Sequence, residues 1–190
     1  MTSIETSYCW CGEYAHTKYY YGPWFYGNES EKKIDCELVK CSNCNQIRTK
    51  YCSLPDKNLR TELAPIYSGL SYRHKRSLST IIRYLNGSSV LDIGCNSGEI
   101  LEYLSANCSH LTKIVGIDKN NSALFAKQKI NPKIELKDCE LTYLDSVFDN
   151  ILILHTLEHI RDLGAFFRSM GRITHKGTIF YIAVPAIESR

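Results

Sequence analysis

Three groups of residues in this 190-residue sequence have types and spacings that can do chemistry. The first is Val90-Leu91-Asp92-Ile93-Gly94-Cys95-Asn96-Ser97-Gly98-Glu99-Ile100-Leu101, an apolar run that enters a glycine-flanked turn and leaves it in a helical pattern. Gly94 and Gly98 have no Cβ, so the backbone can take left-handed dihedrals and come close to a ligand. The following helix presents unpaired N–H groups to a carboxylate or hydroxyl. Asp118 falls 20 residues after Gly98, closing the run Val115-Gly116-Ile117, where a carboxylate can accept both hydroxyls of a ribose. Strand, turn, helix, strand and terminal Asp, in that order, describe half of a nucleotide-type binding fold.

The second group is Leu154-His155-Thr156-Leu157-Glu158-His159-Ile160, which closes the apolar run Ile151-Leu152-Ile153. A neutral imidazole at a strand end can take a proton from a nucleophile, and His155 is placed for that role or for orienting a substrate. A structural, hydrogen-bonded histidine is the competing reading. His155-x-x-Glu158-His159 also spells an inverted zinc-protease motif, but that chemistry needs both histidines on one helix, and His155 terminates a strand.

The third group is cysteine. Six of the nine crowd the front of the chain, and Cys9-Trp10-Cys11-Gly12 with Val39-Lys40-Cys41-Ser42-Asn43-Cys44 gives two pairs across a strand-forming stretch. Cys9, Cys11, Cys41 and Cys44 are therefore expected to hold a structural zinc ion in a four-thiolate ribbon, with disulfides the second choice. The first pair is one residue short of the usual knuckle, so Cys36, Cys52 or His16 could replace one ligand.

These groups need elements to hold them. Residues 1–52 are expected to form a zinc ribbon with strands at 18–21 and 34–39, and the aromatic run 18–26 is expected to pack within it. Residues 53–69, broken by prolines, read as a linker. From residue 70 to 190 the pattern alternates: a helix at 71–85, a strand at 89–93, a helix at 98–106, a strand at 113–118, a helix at 122–129 and a strand at 133–136. A buried strand at 147–154 follows, then a helix at 163–174 with Leu163, Phe166, Phe167, Met170 and Ile173 facing inward, and a last strand at 178–184. Such alternation predicts an α/β, doubly wound Rossmann-like parallel sheet.

The loop Leu91-Asp92-Ile93-Gly94-Cys95-Asn96-Ser97-Gly98 resembles the first motif of class I S-adenosylmethionine-dependent methyltransferases, and the similarity runs from about residue 70 to 184. The resemblance implies that Asp92 and the Gly94 to Gly98 backbone, Cys95 included, hold the methionyl part of S-adenosylmethionine. It also assigns Asp118, with Lys119 beside it, to the ribose, and Asp138 with Cys139 to the adenine. Asn96 stands where the family commonly has glycine, and asparagine tolerates left-handed dihedrals better than most residues. Leu157-Glu158-His159 and Asp162 are similar to the family's fourth motif. Some relatives bind a catalytic metal here with E-x-x-E-H, but His155 replaces the first glutamate, which argues against that metal.

A cysteine ribbon before such a core resembles deoxysugar C-methyltransferases and enzymes of polysaccharide or natural-product loci. That implies a small-molecule acceptor, with a nucleotide-linked sugar as the specific expectation. The family adds two more strands beyond the fifth, so the core is expected to be C-terminally incomplete at residue 190. The alternatives are a catalytically silent methyltransferase-like module that binds protein or RNA, and an NAD-dependent oxidoreductase. The latter would need glycine at Asn96 and would bring the Asp92 charge against a pyrophosphate.

Composition narrows the classes further. A net charge of +3, from 23 basic and 20 acidic side chains, gives no electrostatic case for nucleic acid, and Tyr72-Arg73-His74-Lys75-Arg76 reads as a solvated helix face. No apolar run approaches the about 20 residues that span a bilayer, and Met1 to Tyr8 shows no secretory signal, so a cytoplasmic location is expected.

Overall fold

The computed structural model describes residues 9, 11–25, 33–52, 72–119, 131–160 and 162–185. The chain divides into two compact units, Met1–Ile66 and Tyr67–Arg190. The expected linker 53–69 and helix 122–129 lie outside the described residues, as do the side chains of the basic cluster 72–76. Among the described residues, no helix is long and apolar enough to cross a membrane.

The first unit is an antiparallel three-stranded sheet, β1 (His16–Phe25), β2 (Lys33–Cys41) and β3 (Ile47–Cys52), in that spatial order. The two expected strand runs lie inside β1 and β2. The third strand escapes sequence reading because Ile47-Arg48-Thr49-Lys50 alternates too weakly to stand out. A register shift falls between Lys18 and Tyr20. Tyr19, Tyr20 and Tyr21 are 53%, 37% and 58% exposed, so these three members of the aromatic run do not pack away as expected. Adjacent residues on a strand face opposite ways, and one small sheet cannot bury both sides.

The second unit is the doubly wound sheet. Its elements are α1 (Tyr72–Tyr84), β4 (Ser89–Ile93), α2 (Glu99–Asn107), β5 (Lys113–Ile117), β6 (Ile134–Lys137), β7 (Asn150–Leu154), α3 (Leu163–Met170) and β8 (Ile179–Ala183). The strand order is β6-β5-β4-β7-β8 and every pairing is parallel. β4 and β7 are the central strands and are buried along their whole length. Period-two alternation splits their side chains between the sheet's two faces. Val90, Leu152 and Leu154 join Leu78 and Ile81 of α1 and Leu101 and Leu104 of α2, whereas Leu91, Ile151 and Ile153 join Phe148, Met170 and Ile173. Each such side chain removed from water contributes about 1.5–3 kcal/mol, so the middle of the sheet is the most strongly held part of the unit.

Two boundaries differ from the sequence expectation for identifiable reasons. β7 starts at Asn150 because Asp149 clamps the segment before β4. Its Oδ2 accepts from the Ser88 N–H at 2.8 Å, the Ser89 N–H at 3.0 Å and the Ser89 hydroxyl at 2.7 Å, while Oδ1 lies 3.0 Å from His175 Nε2. The Ser88 N–H does most to hold the Asp149 carboxyl down to about 2, followed by the Ser89 hydroxyl. The last helix ends at Met170, where the Thr174 hydroxyl donates to the Met170 carbonyl at 3.0 Å and Ile173 still enters the core. Phe167 is 46% exposed rather than inward.

Candidate functional site

In an open parallel sheet, ligands bind outside the carboxyl ends of the strands where the winding reverses. Here the chain winds outward from β4 through β5 to β6, then returns to start β7 on the other side of β4. The reversal lies between β4 and β7, and the two chemistry-bearing runs found in the sequence emerge there. Asp92 is the next-to-last residue of β4, and His155 directly follows β7.

The β4–α2 turn is wound tightly onto the end of β5. The N–H groups of Gly94 and Cys95 both donate to the Ile117 carbonyl, at 2.8 and 3.1 Å, and the Gly98 N–H donates to the Cys95 carbonyl at 2.9 Å. Gly94, Asn96 and Gly98 have φ of 80°, 50° and 85°, so the left-handed conformation expected for Asn96 is present. Gly94 is constrained twice over: a Cβ there would lie 2.1 Å from Thr156 Oγ1. The threonine after His155 thus seats directly against the turn after β4. Gly98 is the N-cap of α2 and has no side chain to offer the first N–H groups of that helix.

Asp118 lies just beyond β5, and its Oδ2 accepts the Asn96 N–H at 2.9 Å. The carboxylate expected to meet a ribose therefore also fixes the turn. Asp92 is 2% exposed; burial first, and then the Asp118 charge, push its pKa up to about 7. Ser97 is 5% exposed, and its Oγ is buried without a hydrogen-bond partner. A buried orphan hydroxyl costs about 1–3 kcal/mol, and together with a buried carboxyl near neutrality it gives the turn unsatisfied polar capacity. Cys95 is also buried, its sulfur near the Asn96 carbonyl at 3.8 Å, and its thiol is driven far up by burial.

At the ends of β5 and β6 a cavity of about 410 Å³ is lined by Lys119, Asp138, Cys139, Glu140 and Tyr143. Three of these, Lys119, Asp138 and Cys139, were singled out in the sequence, and the fold brings them together. Glu140 and Tyr143 were missed. Glu140 pairs with Lys119 across the cavity wall, and Tyr143 sits 75% exposed on the single turn Leu141–Tyr143. Polar or aromatic residues within a turn of a strand's carboxyl end were the available signal.

The raised Asp92 pKa carries a pH prediction. The group's folded value, about 7, is above its ordinary 3.8, so the stability linked to its protonated form is complete below about pH 4 and is lost as pH rises through 7. A cationic ligand beside Asp92 favours the carboxylate. Binding of such a ligand is then expected to release a proton below pH 7 and to weaken by up to about tenfold per pH unit there. Calorimetry in buffers of different ionisation enthalpy reads that proton, and Asp92→Asn is expected to abolish it.

In the first unit the Sγ atoms of Cys9, Cys11, Cys41 and Cys44 all lie within 4.8 Å of one another. Cys9 and Cys44 are 3.5 Å apart, and Cys11 and Cys41 are 3.6 Å apart. A tetrahedral thiolate site with metal–sulfur bonds of about 2.3 Å has edges of about 3.8 Å. A disulfide would need about 2.05 Å, and these cysteines are free. Both sulfurs of the short first pair reach the cluster: the Gly12 N–H donates to the Cys9 carbonyl at 2.9 Å, and the Asn45 N–H donates to the Cys41 carbonyl at 3.2 Å, giving one turn under each pair. His16 instead turns its Nδ1 to the Tyr14 carbonyl at 2.9 Å. The backbone N–H of Cys44 does most to hold the Cys41 thiol down to about 6. Among the described residues this is the single group of three or more side chains able to hold a metal.

A family model described as "Methyltransferase domain" matches residues 56–190. Among curated proteins, the chain is 30% identical over 131 residues to the mitochondrial ubiquinone biosynthesis O-methyltransferase of Dictyostelium discoideum, covering 59% of this chain and 40% of that protein. It is 38% identical over 90 residues to the phosphoethanolamine N-methyltransferase of Triticum aestivum, covering 44% and 17%. The chain thus spans less than half the length of these relatives. Among solved structures, it superposes with a TM-score of 0.56 and 18% identity on a chain of the Haloferax volcanii complex of the Trm112 methyltransferase activator with its methyltransferase partner, covering 70% and 62%. That likeness shows the fold.

Proposed function

Because the chain belongs to the methyltransferase-domain family, we propose that it transfers a methyl group from S-adenosylmethionine to a small-molecule acceptor, with a nucleotide-linked sugar or polysaccharide precursor as the acceptor class. One observation carries the first part. The buried Asp92, the left-handed turn with its orphan Ser97 hydroxyl, Asp118 and the cavity at Asp138 and Cys139 follow one another along the carboxyl edge of β4, β5 and β6. Their order is that of an amino-acid end, a ribose and a base.

In this reading Asp92, the Gly94 to Gly98 backbone, Cys95 and Ser97 hold the methionyl end, Asp118 and Lys119 the ribose, and Asp138 and Cys139 the adenine. S-adenosylmethionine supplies an electrophilic methyl on a sulfonium. The rest falls to the protein: holding the acceptor in line, excluding water and receiving a proton where the nucleophile carries one. His155 is the proton acceptor. Cys9, Cys11, Cys41 and Cys44 hold a structural Zn²⁺, closed to chemistry because all four positions are protein thiolates.

The curated relatives carry both O- and N-methyltransferase names, so family membership leaves the acceptor open. The sugar rests on the ribbon before the core. S-adenosylhomocysteine release measured with nucleotide-linked sugars, an ortho-diphenol and an ethanolamine phosphate ester tests it. Release with the sugars alone supports this acceptor class, and release with only the other two removes it.

A further inference from the structure

We propose that Glu158 is a positioning residue for His155, holding Nδ1 of its imidazole in the protonated tautomer so that Nε2 carries the lone pair that accepts a proton from the methyl acceptor. The backbone first places the ring. β7 ends at Leu154, and His155 takes φ 54°, a left-handed conformation that is strained for a residue with a side chain. Its N–H donates to the Ala183 carbonyl of β8 at 2.8 Å, which holds the residue there. Strain of this kind persists where the surroundings enforce it, and it concentrates at working sites.

The same turn then brings the carboxylate back. Residues Leu157–His159 form a single 3₁₀ turn, closed by the His159 N–H donating to the Thr156 carbonyl at 2.9 Å. That geometry sets Glu158 Oε1 at 3.8 Å from His155 Nδ1, with side chains 25% and 32% exposed. The separation is ion-pair distance and longer than a hydrogen bond, as is common before substrate is bound. A carboxylate facing one ring nitrogen favours N–H on that nitrogen and stabilises the imidazolium formed when the other takes a proton. Thr156, between the two, fills the space that a Cβ on Gly94 would need, which fixes the dyad's turn against the β4–α2 turn.

The proton balance closes. A hydroxyl acceptor gives its proton to Nε2, and the oxygen pair so freed forms the bond to the methyl carbon. The pair of the breaking carbon–sulfur bond returns to sulfur, and the imidazolium later yields its proton to water. The inference rests on the methyl-transfer reading for what the base acts upon, but its geometry can be read in the chain alone.

The test is long-range ¹H–¹⁵N NMR of the histidine rings at a pH where they are neutral. It compares the full chain with Glu158→Ala, and His155→Asn identifies the His155 signal by its loss. Calorimetric titration of each protein with S-adenosylhomocysteine runs in parallel. The Nδ1–H tautomer is expected to predominate in the unaltered chain and to fall by at least about half in Glu158→Ala, reverting toward the Nε2–H form of an unconstrained ring. Affinity for S-adenosylhomocysteine is expected to change less than about twofold, and the remaining histidine signals report that the variant is folded. An unchanged tautomer ratio, or an Nε2–H majority in the unaltered chain, overturns the dyad whatever the titration shows. No binding to any of the three proteins overturns the cofactor reading and leaves the tautomer result to decide the dyad separately.

Discussion

Gly94→Ala is expected to weaken S-adenosylhomocysteine binding by about 10–100-fold and to lower the melting temperature of the second unit. Two costs combine at this residue. An alanine at φ 80° pays the left-handed penalty of about 1–2 kcal/mol, where each 1.4 kcal/mol is a factor of ten. Its Cβ would also arrive 2.1 Å from Thr156 Oγ1, so the turns after β4 and β7 must separate. Thr156→Gly removes the second cost and not the first. Isothermal titration of the two single variants and the double variant is expected to show that G94A/T156G recovers part of the lost affinity, with a coupling energy between two residues in contact. Additive losses would mean that the turns are not keyed to each other.

The second large effect is in the first unit. Without a metal, four thiols sit within 4.8 Å of one another in a three-stranded sheet whose buried side chains, among the described residues, are Cys9, Cys36, Val39 and Cys41. Zinc binding to such sites is worth about 10–16 kcal/mol at neutral pH, and most of that is folding energy. Cys41→Ser, or removal of the metal with a chelator, is expected to unfold residues 9–52. Backbone NMR signals of β1, β2 and β3 would collapse to random-coil positions, while those of β4 and β7 stay dispersed. Elemental analysis is expected to find one zinc per chain and much less in the variant. A metal-free chain with an intact ribbon spectrum would remove the zinc assignment.

The fold and the site were not equally legible. The β4–α2 turn could be read because its strand, turn and helix follow one another within twelve residues, and because few residue types serve a left-handed turn. Alternation of short apolar runs with helical periods was enough for the parallel sheet, since both signals are local. Contacts between distant segments were not readable. Nothing around Gly94 says that Thr156 will occupy its Cβ position. Nothing around Asp118 says that its carboxylate will hold the Asn96 N–H. Gly94 looked like a residue cleared for a ligand, and it is also cleared for a neighbouring side chain.

The same distinction explains the differences in the elements. Val147 to Asp149 extends an apolar run but leaves the sheet, because Asp149 finds stronger partners in Ser88, Ser89 and His175. Phe167 carries the helical period that marks an inward residue and is exposed, because β8 is the edge of the described sheet. The cysteine pairs behaved in the opposite way. Spacing alone left Cys36, Cys52 or His16 as substitutes for one ligand, yet two backbone turns let Cys9 and Cys11 both reach the cluster.

We propose the turn between β4 and α2, with Asp118 beside it, as the seat of an adenosine-bearing sulfonium. Calorimetric titration with S-adenosylhomocysteine, and separately with NADH, on the chain and on Asp118→Ala tests it most directly. One S-adenosylhomocysteine site per chain, a loss of about 1–3 kcal/mol in Asp118→Ala, and no NADH binding are expected. Saturable NADH binding, or S-adenosylhomocysteine affinity unchanged by Asp118→Ala, would contradict it.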